Sequence, residues 1–257
     1  MSTPSDHAIK AFLINLENAV ARREHCVAEF EAAGLPYAIV NAVNGYELTL
    51  PHPDYDEQAY HRQHGGETSF GLVGGYLSHL QAMRHFLASD ADYGLICEDD
   101  IALGDGFCDL LQRAISHADR WDLLRLSGRR HGTPVVVVSL DQTHSLAVNM
   151  TRQTGAGAYL VNRHAAERMT ARMLPMTLPF DHAFDQEWRF GCRALSLIPF
   201  PVGQQEELFA SQNEWSRKLK RGPSRYLTVF PHRAANEVSR VCVRSWQVVR
   251  EKLRRAA

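Results

Sequence analysis

Short apolar segments alternate with amphipathic helical segments along most of this chain, and this alternation limits its fold more than any other feature. Strand-like apolar runs occupy residues 9–16, 37–43, 93–97, 123–126, 135–140, 158–161 and 194–200. Apolar residues recur at helical spacing over residues 19–33, 77–89, 107–115 and 162–173, and a shorter helix is predicted over 183–190. Alternating strands and helices favour an α/β fold with its strands in the interior of one sheet.

Capping and turn residues set the predicted ends of these elements. Asn18 is expected to cap the first helix, and Asn162 is expected to cap the helix that follows the strand at residues 158–161. Gly34 ends the first helix and Gly191 ends the short one. Residues 45–75 are rich in glycine and proline and are predicted to form a long loop.

Composition places the chain among ordinary globular proteins. Its 257 residues are 45% hydrophobic and 22% charged, which is typical of one large domain, alone or with an appendage. The sequence has neither an apolar run of about 18 residues nor a recognisable signal peptide, so we expect a cytoplasmic protein. The five cysteines form no C-x-x-C pair, which argues against a disulfide framework or a thiolate zinc site.

The charge is distributed unevenly between a body, residues 1–212, and a tail, residues 213–257. The body has 16 Lys and Arg against 26 Asp and Glu, and the tail has 12 against 3. Such an acidic body argues against nucleic acid as the substrate. In the tail, apolar residues recur at steps of three and four and basic residues fill the other faces: Val241, Cys242, Trp246, Val249 and Leu253, with Arg240, Arg244, Arg250, Lys252, Arg254 and Arg255. This pattern predicts an amphipathic basic helix that lies on an anionic membrane surface or docks on the body by its apolar stripe.

Three consecutive acids, Glu98, Asp99 and Asp100, follow the apolar run at residues 93–97. Ligands of α/β sheets bind outside the carboxyl ends of the strands, where this triplet is expected to lie. At about 4 Å and an effective dielectric of about 20, two carboxylates repel each other by about 4 kcal/mol, so a cation or strong donors should accompany them. Oxygen ligands of this kind suit Mg²⁺ or Mn²⁺. A solvated acidic turn is the alternative.

Five sequence blocks, in this order, carry a family resemblance. They are FLINL at 12–16 with Arg22 and Arg23 behind it, GLVGGYLSH at 71–79, ICEDDI at 96–101, GAGAYLV at 155–161, and LPFD at 178–181 followed by Asp185. Together they resemble glycosyltransferase family 25 over about residues 9–205. Gly75 and Cys97 depart from the residues common in the family, which leaves the chemistry untouched but bears on the choice of donor.

The resemblance implies a GT-A-like fold, in which a Rossmann-like half holds a nucleotide sugar and an acidic motif binds the metal ion on its diphosphate. Bacterial members are mostly lipooligosaccharide galactosyltransferases that use UDP-galactose and invert the anomeric centre. We therefore expect an inverting, Mn²⁺- or Mg²⁺-dependent transfer of a hexose from a UDP-hexose to a lipid-linked oligosaccharide, at the inner face of the cytoplasmic membrane. UDP-glucose or an N-acetylhexosamine donor is the alternative.

Individual residues receive expected roles. If the acidic triplet continues the strand, Glu98 and Asp100 share one face and Asp99 lies on the other. We expect Asp100 to bind the metal ion, with Glu98 or Asp99 helping through water or binding the donor's ribose. The donor site as a whole is expected to comprise Asn15, Arg22, Ser78, His79, Glu98, Asp99 and Gly155.

Each donor-site assignment has a structural alternative. Arg22 pairs with a phosphate or lies on a solvated helix face. His79 bonds the donor, braces the acidic segment or fills the core. Gly155 lets backbone approach the donor sugar or only forms a tight turn.

Inversion also requires a carboxylate on the face of the sugar opposite the leaving group. Asp181 is the first candidate because it lies in the family's P-x-D block, and Asp185 is the second. The alternative for Asp181 is a helix N-cap.

Two other classes of protein remain as rivals. A metal-dependent nucleotidyltransferase would also gather acids at a strand end, but would release pyrophosphate rather than UDP. A non-enzymatic adaptor would use only the basic tail. The sequence has no H-E-x-x-H, G-x-G-x-x-G, P-loop or G-x-S-x-G motif, which weighs against zinc hydrolases, dinucleotide enzymes, P-loop NTPases and serine hydrolases.

Overall fold

The computed structural model describes residues 7–129, 132–205, 222 and 226–256, with side chains described as far as residue 254. The strands are β1 Ile9–Asn15, β2 Tyr37–Asn41, β3 Tyr93–Cys97, β4 Ile101–Leu103, β5 Leu123–Arg125, β6 Pro134–Ser139, β7 Ser145–Asn149, β8 Ala158–Asn162, β9 Ala194–Ile198 and β10 Val202–Gln204. The α-helices are α1 Val20–Ala32, α2 Glu57–Gln63, α3 Phe70–Leu87, α4 Phe107–Ile115, α5 Arg163–Arg172, α6 Phe180–Phe184 and α7 Val229–Ala256. Short 3₁₀ helices cover Gly45–Glu47, Ala118–Arg120 and Glu187–Phe190.

A mixed eight-stranded sheet, in the order β2-β1-β3-β8-β5-β9-β7-β6, forms the centre of the molecule, and β4 pairs with β10 beside it. Strands β2, β1 and β3 are mutually parallel, and β8 lies between β3 and β5. Because β8 is antiparallel to both of these neighbours, β5 runs the same way as β3. The carboxyl ends of β1, β2, β3 and β5 therefore meet at one edge of the sheet.

Both faces of the sheet are covered by helices. Ala11 and Leu13 of β1 pack into a core with α1 and α4, whereas Phe12 and Ile14 pack into a second core with α3 and α5. Alternate residues of a strand point to opposite faces, so a strand buried on both faces must be apolar at nearly every position. The predicted α/β fold with interior strands is confirmed.

Several predicted element ends are confirmed and others are wrong. The Asn162 side chain accepts a hydrogen bond of 2.8 Å from the Ala165 N–H and caps α5 as predicted. Gly191 ends the 3₁₀ helix before it with φ of 72°. The predicted N-cap of α1 is wrong, because Ala19, rather than Asn18, holds that position without a side-chain hydrogen bond. The expected domain boundary after residue 212 lies outside the described residues.

The predicted loop at residues 45–75 contains a 3₁₀ helix, the whole of α2 and the start of α3. Asp56 caps α2 by accepting a 2.8 Å hydrogen bond from the Ala59 N–H, a local signal that was missed. Helix α3 begins at Phe70 and includes the glycines of this segment. Gly74 lies against the backbone of Val43 and Gly45, where no Cβ would fit. Close backbone packing, rather than turn formation, explains this glycine.

Helix α7 docks on the body by its charged face. Arg240, Arg244 and Glu251 are buried, while Trp246 and Leu253 are 68% and 64% exposed. The expectation that the tail packs on the body by its apolar stripe is therefore wrong, since the stripe faces outward. Within the described residues, no helix is both long and apolar enough to span a membrane.

Candidate active site

A pocket of about 220 Å³ opens where the chain leaves β1, β2 and β3. It is lined by Ile14, Leu16, Ala19, Arg22, Ala42, Val43, Asn44, Gly45, Tyr46, Gly71, Gly75, Ser78, His79, Glu98, Asp99, Asp100 and Arg129. The acidic triplet follows the last residue of β3 and forms a turn into β4. The triplet thus lies at the carboxyl edge of the sheet as predicted, although it does not continue the strand, so the predicted alternation of its faces does not apply.

Asp99 joins the acidic turn to the end of β1 and to α1. One carboxylate oxygen accepts a hydrogen bond of 2.8 Å from the Asn15 side chain at the end of β1. The other forms an ion pair of 2.8 Å with Arg22 in the first turn of α1. Both oxygens are therefore engaged by protein donors. Asp99 fixes the position of Arg22, which faces the pocket rather than forming part of a solvated helix face.

Glu98 is held by His79, which is itself held from two other sides. His79 Nε2 lies 3.3 Å from Glu98 Oε1, and Nδ1 lies 3.1 Å from the Tyr159 hydroxyl. The imidazole also stacks on Phe180 with 3.9 Å between ring centroids. Of the three roles considered for His79, bracing the acidic turn is therefore the one that these contacts support.

Ser78 lines the pocket, and its hydroxyl forms hydrogen bonds to two backbone groups of the protein. It donates a hydrogen bond of 2.7 Å to the Gly74 carbonyl and accepts one of 2.8 Å from the Val43 N–H. These contacts tie α3 to the segment after β2. These bonds shape the pocket wall, and the binding of the donor by Ser78 stays a prediction.

Asp100 is half-buried, and one of its carboxylate oxygens, Oδ1, is buried without a hydrogen-bond partner. Burial, reinforced by the negative charge of Glu98, raises the pKa of Asp100 to about 6. A buried unpaired oxygen costs free energy, which a bound cation would recover. Within the described ranges, no group of three or more His, Cys, Asp and Glu is arranged to hold a metal ion. Asp100 and Glu98 therefore fit a cation that draws its other ligands from a substrate and water.

Asp181 lies in the first turn of α6, whose N-cap is Pro179. One of its oxygens accepts a hydrogen bond of 3.1 Å from the Gly155 N–H, and the side chain is 29% exposed. The N-cap alternative for Asp181 is therefore wrong. Gly155 has φ of 87°, a conformation that favours glycine. In this conformation its backbone N–H donates the hydrogen bond that orients the Asp181 carboxylate.

Asp185 occupies a different environment. It is fully buried and pairs with Arg240 at 2.8 Å, Arg244 at 3.0 Å and Arg125 at 3.5 Å. A fully buried carboxylate enclosed by three guanidinium groups has no access to an acceptor sugar. The expectation that Asp185 serves as an alternative base is therefore corrected.

Arg129 and Tyr46 line the same pocket and were missed by the sequence analysis. Arg129 lies four residues beyond the end of β5, at the edge of the sheet that carries the acidic turn. Ligands of α/β sheets bind outside the carboxyl ends of the strands, and this rule, applied to the strand predicted at residues 123–126, would have found Arg129. Tyr46 belongs to a 3₁₀ helix inside the predicted loop, and no pattern in the sequence indicated it.

Comparison with known proteins establishes the class of this chain as a glycosyltransferase. A model of glycosyltransferase family 25, described as an LPS biosynthesis protein, matches residues 8–184. The chain belongs to glycosyltransferase family 25, which confirms the resemblance carried by the five sequence blocks. Members of such a family take a nucleotide-sugar donor and an oligosaccharide acceptor. No curated protein sequence matches the chain.

Two solved structures give weak similarities. One is a glycosyltransferase involved in the glycosylation of the major capsid of PBCV-1, at 11% identity and a TM-score of 0.40, with 74% of this chain and 81% of that chain covered. The other is described as a mannose-1-phosphate geranyltransferase from Thermus thermophilus, at 13% identity and a TM-score of 0.29, with 75% of this chain and 60% of that chain covered. These similarities are too low to carry an argument about mechanism.

Proposed function

We propose that this protein is a metal-dependent, inverting glycosyltransferase that moves galactose from UDP-galactose to a core sugar of lipooligosaccharide or lipopolysaccharide. The supporting observation is the pocket lined by Glu98, Asp100 and Arg129, where one oxygen of Asp100 is buried without a partner. Family membership supports sugar transfer, and the pocket chemistry supports binding of a diphosphate through a cation.

The donor is proposed to bind with its diphosphate at the acidic turn. Bound Mn²⁺ or Mg²⁺ would neutralise the charge that develops on the departing diphosphate. Asp100 and Glu98 would hold the ion, while Asp99 keeps Arg22 in place through their 2.8 Å ion pair. Arg129 adds a guanidinium group to the same pocket. Carboxylates and guanidinium groups together can bind both the metal ion and the phosphate oxygens.

The metal and the donor can be tested together by thermal unfolding. A ligand that binds only the folded protein raises its Tm, so UDP-galactose with Mn²⁺ should stabilise the protein more than either alone. EDTA should abolish the increase. A larger shift with UDP-glucose or a UDP-N-acetylhexosamine would support the alternative donor. Equal shifts with and without Mn²⁺ would refute metal dependence.

Asp181 is the proposed base. Its Oδ2 is held by the Gly155 N–H, so Oδ1 is the atom that would accept the proton of the acceptor hydroxyl. As the hydroxyl oxygen bonds to the anomeric carbon, the bond from that carbon to UDP breaks on the opposite face. Asp181→Asn keeps the shape of the side chain but removes its basicity.

We expect Asp181→Asn to lower transfer by about 10²-fold or more. The Tm increase produced by UDP and Mn²⁺ should stay at the wild-type value, because the variant changes no group of the donor pocket. Asp90→Asn, an exposed acid in the loop after α3, is the matched control and should transfer normally. Near-normal turnover by Asp181→Asn would remove Asp181 from this role.

We also propose that the protein works as a peripheral protein on the inner face of the cytoplasmic membrane, where its lipid-linked acceptor lies. The support is the outward face of α7, which exposes Val238, Val241, Trp246, Val249 and Leu253. Arg250 and Lys252, both exposed, flank this stripe. An apolar stripe with tryptophan, bordered by cations, suits the interface of an anionic bilayer.

Vesicle flotation tests this association without removing α7. Deleting the helix would leave Asp185 and Glu187 buried without Arg244, so point variants are preferable. Burying a large apolar side chain is worth about 1.5–3 kcal/mol, so the double variant Trp246→Ser, Leu253→Ser should weaken binding to phosphatidylglycerol vesicles by about 150-fold or more. Val136→Ser, at an exposed apolar position on β6, should float like the wild type. Equal flotation of the double variant would refute the proposal.

A further inference from the structure

Arg125, the last residue of β5, carries a guanidinium group that is buried inside the protein, with 2% of the side chain exposed. Burying a charge costs free energy that only close and well-aligned partners recover. Its paired carboxylate, that of Asp185, lies 3.5 Å from Nη2, and Nη2 has no hydrogen-bond partner. The ion pair alone is therefore a weak reason for an arginine at this position.

The guanidinium group contacts two different segments of the chain. Its Nη1 donates a hydrogen bond of 3.1 Å to the Gly155 carbonyl. Its Cζ lies over the Phe184 ring, 4.3 Å from the ring centroid, and Phe184 is the last residue of α6. Asp185, which pairs with Nη2, is the C-cap of the same helix. Arg125 thus contacts the segment at Gly155 and the end of α6 at the same time.

Asp181, the proposed base, is the residue at which these two segments are joined. It lies in the first turn of α6, and its Oδ2 accepts a hydrogen bond of 3.1 Å from the Gly155 N–H. Its backbone carbonyl accepts one of 3.2 Å from the Asp185 N–H. Arg125 therefore contacts both the residue that orients the base and the helix that carries it.

Residues 154–157 also connect the base to the donor pocket. The Thr154 carbonyl accepts a hydrogen bond of 2.9 Å from the backbone N–H of Arg129, which lines that pocket. The Gly157 carbonyl accepts one of 2.8 Å from the backbone N–H of Glu98, the first residue of the acidic turn. A displacement of this segment would therefore change the position of the base relative to the donor.

We propose that Arg125 is a positioning residue, which holds residues 154–157 against α6 and so keeps the Asp181 carboxylate where it takes the acceptor proton. This inference rests on the proposed function, because it concerns the base of the same reaction. A displacement of about 1 Å can lower the rate of a reaction by about 10²-fold. Arginine is suited to the role because its planar group offers several donors in a fixed arrangement.

Arg125→Met tests the role, because methionine is an unbranched apolar side chain without a donor. Asp185 would keep Arg240 at 2.8 Å and Arg244 at 3.0 Å, so the variant leaves this buried carboxylate paired. We expect kcat to fall by about tenfold or more, because the carboxylate is displaced from its working position. The KM for the UDP-sugar and the Tm increase with UDP and Mn²⁺ should stay at the wild-type values.

Arg193→Met is the matched control for the loss of an arginine that pairs with an aspartate. Arg193 binds Asp122 at 2.9 Å, and these residues directly precede β9 and β5, which are parallel strands. The pair therefore lies at the amino ends of these strands, on the edge of the sheet opposite the acidic turn. Arg193→Met should lower the Tm and leave kcat at the wild-type value.

A double-mutant cycle with Asp181→Asn separates positioning of the base from a general structural role. If Arg125 acts through the Asp181 carboxylate, Arg125→Met should lower the residual transfer of Asp181→Asn by less than about twofold, because the base is already lost. Arg125→Lys keeps the charge but offers a single nitrogen donor, so it should show a smaller loss with the same dependence on Asp181. This second variant decides the inference if Arg125→Met does not fold.

Equal losses of transfer with and without the Asp181 carboxylate would overturn the inference, and so would a kcat of Arg125→Met within about twofold of the wild type. Failure of the proposed function is recognised separately. Near-normal transfer by Asp181→Asn alone would remove the base, and this inference with it. A wild-type protein without a Tm increase in UDP and Mn²⁺ would refute the donor assignment, a result that does not depend on Arg125.

Discussion

Replacing Arg244 by methionine should destabilise the protein strongly, because this side chain is the centre of a buried charge cluster. Arg244 is 3% exposed and binds Asp185 at 3.0 Å and Glu187 at 2.9 Å. It also donates a hydrogen bond of 2.9 Å to the Asn149 carbonyl. Although burial lowers it, the two carboxylates raise the pKa of Arg244 above its usual value, so the group stays charged.

The size of the destabilisation follows from the buried carboxylate that loses its partner in Arg244→Met. Asp185 keeps Arg240 at 2.8 Å and Arg125 at 3.5 Å, but buried Glu187 loses its ion pair with Arg244. Removing one partner of a buried ion pair costs about 3–5 kcal/mol. This is a large fraction of the roughly 5–15 kcal/mol that stabilises a typical protein.

Urea unfolding followed by circular dichroism measures the change as a lower midpoint. Arg250→Met is the matched control, because Arg250 is exposed on the outer face of the same helix, and it should change stability by no more than about 0.5 kcal/mol. If Arg244→Met unfolds within about 1 kcal/mol of the wild type, then buried charges do not hold α7 on the body and the reasoning fails.

Further predictions concern pH, packing and the donor pocket. Burial lowers the pKa of His182 from 6.5 to about 4, so its contribution to stability is complete above pH 6.5 and is lost as the pH falls through this window. His182→Asn should therefore reduce the loss of stability between pH 7.5 and 5, measured by urea unfolding, by about 2 kcal/mol. Gly74→Ala should destabilise the protein by about 1–3 kcal/mol, because the added Cβ would lie 2.5 Å from a backbone atom. Gly75→Ala has open space around the added Cβ and should stabilise α3 by about 0.5–1 kcal/mol. Thermal unfolding measures both changes. Asp99→Asn removes the ion pair with Arg22 and should weaken UDP binding about tenfold, or about 1.4 kcal/mol, by calorimetry. Unchanged affinity would contradict the bracing role of Asp99.

Local sequence signals located the main elements and part of the site. The apolar run before Glu98 predicted a strand end, and the acidic turn lies there because parallel strands place their carboxyl ends at one edge. Asn162 was recognised as a cap because its partner, the Ala165 N–H, lies three residues away. By contrast, the partners of Asp185 lie 55 and 59 residues along the chain, so its sequence context suggested catalysis where the fold makes it structural.

The amino-acid sequence by itself determined the alternation of strands and helices, the position of the acidic turn and, through its ordered blocks, the family. The tertiary structure alone decided the insertion of β8 between β3 and β5, the position of Tyr46 in the pocket, and the outward orientation of the apolar stripe of α7. The amphipathic pattern of α7 specified two faces but not which one meets the body. That choice depended on Asp185 and Glu187, buried acids that draw Arg240 and Arg244 inward because an unpaired buried charge is the costlier state.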